Sequence, residues 1–208
     1  GSDKRYRQFS SLKGGTKMFK NYAVTVEGVT PLMTNRFVGD IGVDDGNSRP
    51  VFRGEEGTPR EQAWNTLYFG SDGETLIIPG PNVFASLMEA GKWFKIGRVK
   101  VTTVKTSLLP ACLHLEELVL PIEYKDEWEV DSRPVRIPAT GGRIIRHRAV
   151  FNDWKLNFTL HLDTTLLAPK MLREIVDAAG SRIGLGDFRP QTKGPFGKYV
   201  VTNWEQLK

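Results

Sequence analysis

"WKLNFTLHLD", residues 154–163, alternates Trp154, Leu156, Phe158, Leu160 and Leu162 with Lys155, Asn157, Thr159 and His161. Period-two alternation sends successive side chains to opposite faces, so this is a β-strand with one face in a core and the other polar. Directly behind it, "APKMLREIVDAAG" (168–180) changes period. Pro169 suits the first helical turn, Leu172, Ile175, Val176 and Ala179 share one side, and Gly180 is placed to end the helix. "KYVVTNW" (198–204) then reads as a strand, so the C-terminal part runs strand, helix, strand.

The N-terminal half has a matching order. "NYAVTVEGV" (21–29) alternates until Gly28, and "GPNVFASLMEAGKWF" (80–94) places Val83, Leu87, Ala90 and Phe94 on one helical face. "RVKVTTVKTSLL" (98–109) alternates with one slip, which predicts a bulged strand. Between these, "TPREQAWNTLYF" (58–69) offers Thr58 as N-cap, Pro59 at the first position and Glu61 to complete a capping box, hence a short helix. "ETLIIPG" and "EELVLPIE" read as further short strands. The strongest elements give β-α-β-β-α-β, the ferredoxin-like order. The expected fold is α+β: an antiparallel sheet with both helices on one face and long inserted loops. A single domain over 18–208 is expected, with insertions at about 30–75 and 110–153.

The 208 residues, 39% hydrophobic with eleven Phe and five Trp, can bury a substantial core. One cysteine, Cys112, excludes an internal disulfide and a cysteine-based zinc site, and fits a reducing compartment. No apolar run approaches the roughly 20 residues of a membrane span. The expectation is a soluble, cytoplasmic protein without membrane partners. The net charge of +5 is misleading, because residues 1–17 hold five Lys or Arg against one Asp and leave about +1 for the rest. Gly1-Ser2 reads as a cleavage scar and residues 1–17 as a basic arm or added leader.

A local cluster carries more weight. Between Asp131 and Asp153 there is no acidic residue, while Arg133, Arg136, Arg143, Arg146 and Arg148 fall inside with His147. "ATGG" (139–142) sits in the middle, so a hairpin with positively charged tip and flanks is expected. Such a hairpin either contacts phosphates through Arg136, Arg143, Arg146 and Arg148, or is a solvated hairpin paired with Asp126, Glu127 and Glu129. The stretch "GSRIGLGDFRPQTKGPFGKY" (180–199) is the second feature. Gly184, Gly186, Gly194 and Gly197 would let a backbone come close, Arg189 and Lys193 supply charge, and Phe188, Phe196 or Trp154 offer a stacking face. The competing reading is a turn with both Phe inside. Asn35 and Arg36, just after the first strand, are placed as ligand contacts.

Chemistry has weaker candidates. His114 and His161 have no second ligand at a metal-like spacing, and His147 between two arginines is the histidine best placed for acid–base work. Asp40, Asp44 and Asp45 in "GDIGVDDGNSRP" either form an acidic turn or gather a hard cation. There is no G-x-x-x-x-G-K-S/T, and "GLGDFRP" does not open a helix as a dinucleotide fingerprint must. No cofactor and no resident metal are expected.

Three features together resemble the RAMP superfamily of CRISPR-associated proteins, especially its backbone subunits. They are a first strand running into a long loop, the strand-turn-helix "IPGPNVFASLMEAG", and the glycine-rich "IGLGDFRPQTKGPFGKY" before the last strand. The chain is also similar to a group of often phage-encoded proteins sharing "TPLMTNRF", "HRAVFNDW" and "GDFRPQTKGPFGKY". The resemblance implies a ferredoxin-like fold and RNA binding with Gly184, Gly186, Gly194 and Gly197 in the glycine loop. It also implies possible assembly along the strand with effector-complex subunits. In related backbone subunits an aspartate of the first long loop cuts target RNA with a divalent metal, which draws attention to Asp44. The glycine loop departs from the superfamily in carrying Asp187, Phe188, Pro190 and Pro195. The expected function is non-catalytic binding of single-stranded RNA or DNA. The alternatives are a metal- or His147-dependent ribonuclease and a phage structural subunit whose arginines meet another protein's acids.

Overall fold

The computed structural model describes residues 18–36, 57–136 and 141–208. Strands β1 (Phe19–Gly28) and β2 (Leu32–Met33) precede helix α1 (Pro59–Trp64). Strand β3 (Ile77–Pro79) leads into α2 (Gly80–Ala90), a small hairpin of β4 (Lys95–Ile96) and β5 (Val99–Lys100), and the single turn α3 (Leu109–Cys112). Then come β6 (Leu113–Leu115), β7 (Val119–Pro121), β8 (Glu123–Tyr124), β9 (Glu129–Arg136), β10 (Arg143–Phe151) and β11 (Trp154–Asp163). Helix α4 (Pro169–Ala178) and β12 (Tyr199–Leu207) complete the order.

The main sheet is antiparallel, ordered β12-β1-β11-β6, with β8 on the end of β11. In chain order these long-range strands stand 4-1-3-2 around α2 and α4, and the fold is α+β, ferredoxin-like. Register explains why β11 reads so clearly. Tyr22, Val24 and Val26 of β1 lie opposite Leu160, Phe158 and Leu156, and all six are buried. Val83, Leu87 and Ala90 of α2 and Leu172, Ile175 and Val176 of α4 join the same core cluster. At roughly 1.5 to 3 kcal/mol per fully buried aliphatic side chain, this layer holds the sheet to the helices.

The other face of the sheet is polar and carries carboxylates. Lys155 pairs with Glu27 at 2.9 Å, Asn157 donates to Glu123, and the Thr159 amide and hydroxyl donate to Glu117 at 2.7 and 2.8 Å. His161 meets Glu116 at 3.0 Å and stacks on His114 from β6. A face lined by Glu27, Glu116, Glu117 and Glu123 is unfavourable to a phosphodiester chain.

Three expectations change. The strand expected over 98–108 is a two-residue hairpin arm followed by a turn, in which the Thr103 amide donates to Thr106 and Val104 is 97% exposed. The sheet's second strand is Leu113–Leu115; alternation within a hairpin arm had mimicked a longer strand. The helix expected to stop at Gly180 continues as a wide turn over Ala179–Ile183, and Gly184, at φ +77, ends it. Gly180 has a different reason: a Cβ there would run into the Tyr199 carbonyl oxygen and ring. The short helix read within 58–69 forms over Pro59–Trp64, with both arms of the Thr58/Glu61 capping box present.

Gly180→Ala is therefore expected to lower stability in urea unfolding by about 1–3 kcal/mol through overpacking. This runs against alanine's advantage of roughly 1 kcal/mol as a helix former; a raised midpoint would show that Tyr199 yields without loss. A second test concerns pH. Burial, helped by neighbouring His161, holds the His114 imidazole below its ordinary range. The unfolded chain then binds more protons than the folded one, so stability present above about pH 6.5 is lost as pH falls until folded His114 itself protonates. His114→Gln should reduce that loss, and equal pH slopes in variant and wild type would eliminate His114 as its source.

Candidate nucleic-acid interface

Strands β9 and β10 form a ribbon in which Arg143 faces Arg136, Arg146 faces Arg133, His147 faces Ser132 and Arg148 faces Asp131. Because side chains alternate, Arg133, Arg146, Arg148 and Val150 share one face. Arg136, Arg143, Ile145, His147 and Ser132 share the other. Like charges directly opposite are destabilising, and two such arginine pairs stand in one ribbon. β2 continues the sheet through Val150↔Met33 and Phe151↔Leu32, and fixes the ribbon's root beside the end of β1.

The glycine-rich stretch closes on that root. The Asp187 amide donates to the Met33 carbonyl at 2.7 Å, Gly197 to Pro31 at 2.7 Å and Leu185 to Gly197 at 2.9 Å. Gly186 and Gly197 have φ of +74 and +71, and a Cβ on either would run into the carbonyl oxygen of Met33 or Leu185. Gly184 and Gly194 are closed in the same way, against Pro190 and Phe188. The close approach read from the sequence is real, but the chain's own backbone occupies it.

Side chains expected at the interface divide into two sets. Arg148 pairs with Asp187 at 2.8 Å, with side chains only 13% and 28% exposed, and Asn35 donates to the same Asp187 oxygen at 3.2 Å. Arg189 donates to the Gly186 carbonyl at 2.7 Å and, through two nitrogens, to Gln191. His147 shares a 2.6 Å hydrogen bond with Ser132. Arg36 is half-buried, its amide donating to Thr66 at 2.9 Å. In contrast, Arg136, Arg143, Arg146 and Lys193 are exposed and form no ion pair among the described residues. Arg148, Arg189 and Asn35 thus serve the loop, while these four cations face outward.

The aromatic candidates are corrected. Phe196 is buried with Met33 and Val150, and Trp154 is buried with its indole N–H on the Thr30 carbonyl at 2.9 Å. Neither presents a face to a base. Phe188 is half-buried with φ +46, and the Arg133 guanidinium lies over both rings, 4.8 Å from Phe196 and 5.6 Å from Phe188. Arg133, held by Asp131 at 2.6 Å, belongs to this platform, and the sequence reading had not placed it there. Asp187 was missed too. The available signal was charge balance: a window of arginines with no internal acid needs a counter-ion from elsewhere, and Asp187 lies within the second notable motif.

Asp40, Asp44 and Asp45, and the 1–17 arm, lie outside the described residues. Among the described residues no three of His, Cys, Asp and Glu gather as a metal site. Burial pushes the Cys112 thiol up to about 11, which keeps it protonated at neutral pH. No helix among the described residues is long and apolar enough to cross a membrane.

No family model matches the chain, and no curated protein matches it. Among solved structures it is similar to a chain in the cryo-EM structure of the Type III-B Cmr-beta bound to cognate target RNA. The identity is 10% and the TM-score 0.59, over 100% of this chain and 65% of that one. The likeness is one of fold, and this chain spans about 65% of its neighbour's length.

The Arg148–Asp187 pair should hold the glycine loop to the ribbon. In a double-mutant cycle, Arg148→Ala and Asp187→Ala are expected to couple by about 0.5–3 kcal/mol, whereas the exposed pair Arg173–Asp177 should couple by about 0.5 kcal/mol or less. Additive effects at Arg148 and Asp187 would detach the loop from the ribbon energetically.

Proposed function

We propose that the chain binds single-stranded RNA along the β9–β10 ribbon, without cleaving it. The observation that carries this reading is the set of outward cations, Arg136, Arg143 and Arg146 on a ribbon whose root is fixed by β2 and the glycine loop, with Lys193 on that loop. The opposed Arg136–Arg143 pair raises the energy of the free ribbon, and an incoming phosphate chain relieves that repulsion by neutralising both partners. Arg133 over Phe188 gives the strand a cationic, flat neighbour at the ribbon's inner end. RNA is preferred over DNA because the neighbour of similar fold is described as bound to target RNA.

Within this reading, Arg148, Arg189, Asn35 and the four glycines are positioning residues. They hold the loop against β2 and set the ribbon's direction. A repeating-subunit role along the strand also belongs here. β12 and β9 each stand at one edge of their sheets among the described residues, an edge on which a neighbouring copy would pair.

The test is fluorescence-anisotropy binding of labelled single-stranded RNA to the full chain across a salt series. The comparison is the Arg143→Ala/Arg146→Ala variant, which carries the same N-terminal arm. Wild-type affinity should fall linearly in log–log form, and the variant's slope should be smaller by roughly 1 to 1.5, about 0.7 per lost phosphate contact on a single strand. The RNA should remain full-length throughout. Salt-independent binding, or identical slopes, would reject the ribbon; cleavage abolished by His147→Ala would favour the ribonuclease instead.

A further inference from the structure

Outside the ribbon, another surface gathers exposed cations beside an exposed aromatic ring; of its cations, Lys92 is paired with Glu89 at 2.7 Å. Between Glu89 and Glu116 the chain has no acidic residue but carries Lys92, Lys95, Arg98, Lys100 and Lys105. The β4–β5 hairpin lies in the middle of this interval. Lys95 stands directly opposite Lys100, Ile96 directly opposite Val99, and Arg98 occupies the turn after Gly97 at φ +60. Both lysines are exposed, as are Ile96 and Val99. A Lys–Lys pair and an uncovered Ile–Val pair are each unfavourable in an isolated two-stranded hairpin, which is marginal even with good pairs.

The hairpin is nevertheless held firmly at its base. The Val101 amide donates to Phe94 at 3.0 Å and Thr102 to Gly91 at 3.3 Å; Val101 and Thr102 are buried. At this base Trp93 is 63% exposed, and the exposed Arg182 guanidinium sits 5.1 Å from its ring centroid. Arg182 belongs to the turn that precedes Gly184, whose carbonyl accepts from Ser86 of α2 at 2.9 Å. The surface therefore lies at the stem of the glycine-rich stretch and draws on a different part of the chain from the ribbon.

We infer that the β4–β5 hairpin, with Trp93 and Arg182, is a second contact surface for single-stranded RNA. This rests on the RNA-binding reading and adds a site to it. Lys95, Arg98 and Lys100 meet phosphates, which removes the Lys–Lys repulsion. Trp93, already flanked by a guanidinium, offers a ring for a base, and Ile96 and Val99 cover sugar and base edges. Phosphate contact plus aromatic stacking is how proteins hold single strands irrespective of sequence.

The experiment uses the full chain, labelled single-stranded RNA and the same salt series, with hairpin and ribbon variants side by side. Lys95→Ala/Arg98→Ala/Lys100→Ala is expected to bind about 10-fold more weakly, with a salt slope smaller by about 2. Trp93→Ala should weaken binding roughly 5-fold or more with little change in slope. Lys100→Glu is the guard against misfolding: opposite Lys95 it replaces a repulsive pair with an attractive one. It should keep or raise the thermal midpoint while still losing affinity. If the hairpin variants bind like wild type while Arg143→Ala/Arg146→Ala loses affinity, this inference falls and the ribbon stands. If the hairpin variants lose affinity and the ribbon variant does not, the inference stands and the ribbon reading falls. A wild-type chain that binds no RNA overturns both and leaves an acidic protein surface as the hairpin's partner.

Discussion

The molecule depends on a seam where backbone meets backbone. Residues 29–33 leave the end of β1 and are met by residues 185–187 and 197–198 returning toward β12. Val29 and Thr30 donate to Lys198, Gly197 donates to Pro31, and Asp187 donates to Met33. The same short segment pairs with β10 through Leu32 and Met33. The seam thus joins the ferredoxin-like sheet to the arginine ribbon, and side chains at Gly186 or Gly197 would force it open. A glycine-rich loop in this position has a clear physical purpose: it brings two sheets into register where no β-carbon fits.

Charge is segregated around that seam. The polar face of the main sheet carries Glu27, Glu116, Glu117 and Glu123, each engaged by a neighbour on the sheet. The ribbon carries arginines and, within the described part of its two strands, Glu129 and Asp131 as its acids. Asp187 is where the two systems meet. It takes the one deeply placed arginine, Arg148, and also accepts from Asn35, so a charge that is costly to bury alone is both paired and hydrogen-bonded. The more exposed arginines need no such partner, because water screens them until an anion arrives.

What the sequence revealed follows the same division. The alternation of residues 154–163 and the capping box at Thr58–Glu61 are local signals, set within a few residues, and both survive folding unchanged. The run at 98–108 misled because a hairpin arm alternates like a strand, and only the partner strand tells them apart. Gly180 misled because helix endings and close packing both select glycine; the Tyr199 backbone that decides between them lies nearly twenty residues away. The arginine cluster was legible as a composition bias. Its division into loop-holding and outward residues was not, since that depends on Asp187 and Met33 arriving from distant parts of the chain.

That division also determines how the ribbon should be understood as a surface. Arg133 is fixed by Asp131 and lies over Phe196 and Phe188, Arg148 is fixed by Asp187, and neither has much freedom left to follow a ligand. Arg136, Arg143 and Arg146 keep their rotamer freedom and would lose it on binding, at a cost of up to about 2 kcal/mol each. A surface arranged this way is rigid at its root and adaptable toward its tip. The inner end is fixed by ion pairs and packed rings, whereas the outer end keeps side chains free to adjust. Contacts between such cations and phosphates gain affinity mainly from counter-ion release and vary little with base sequence.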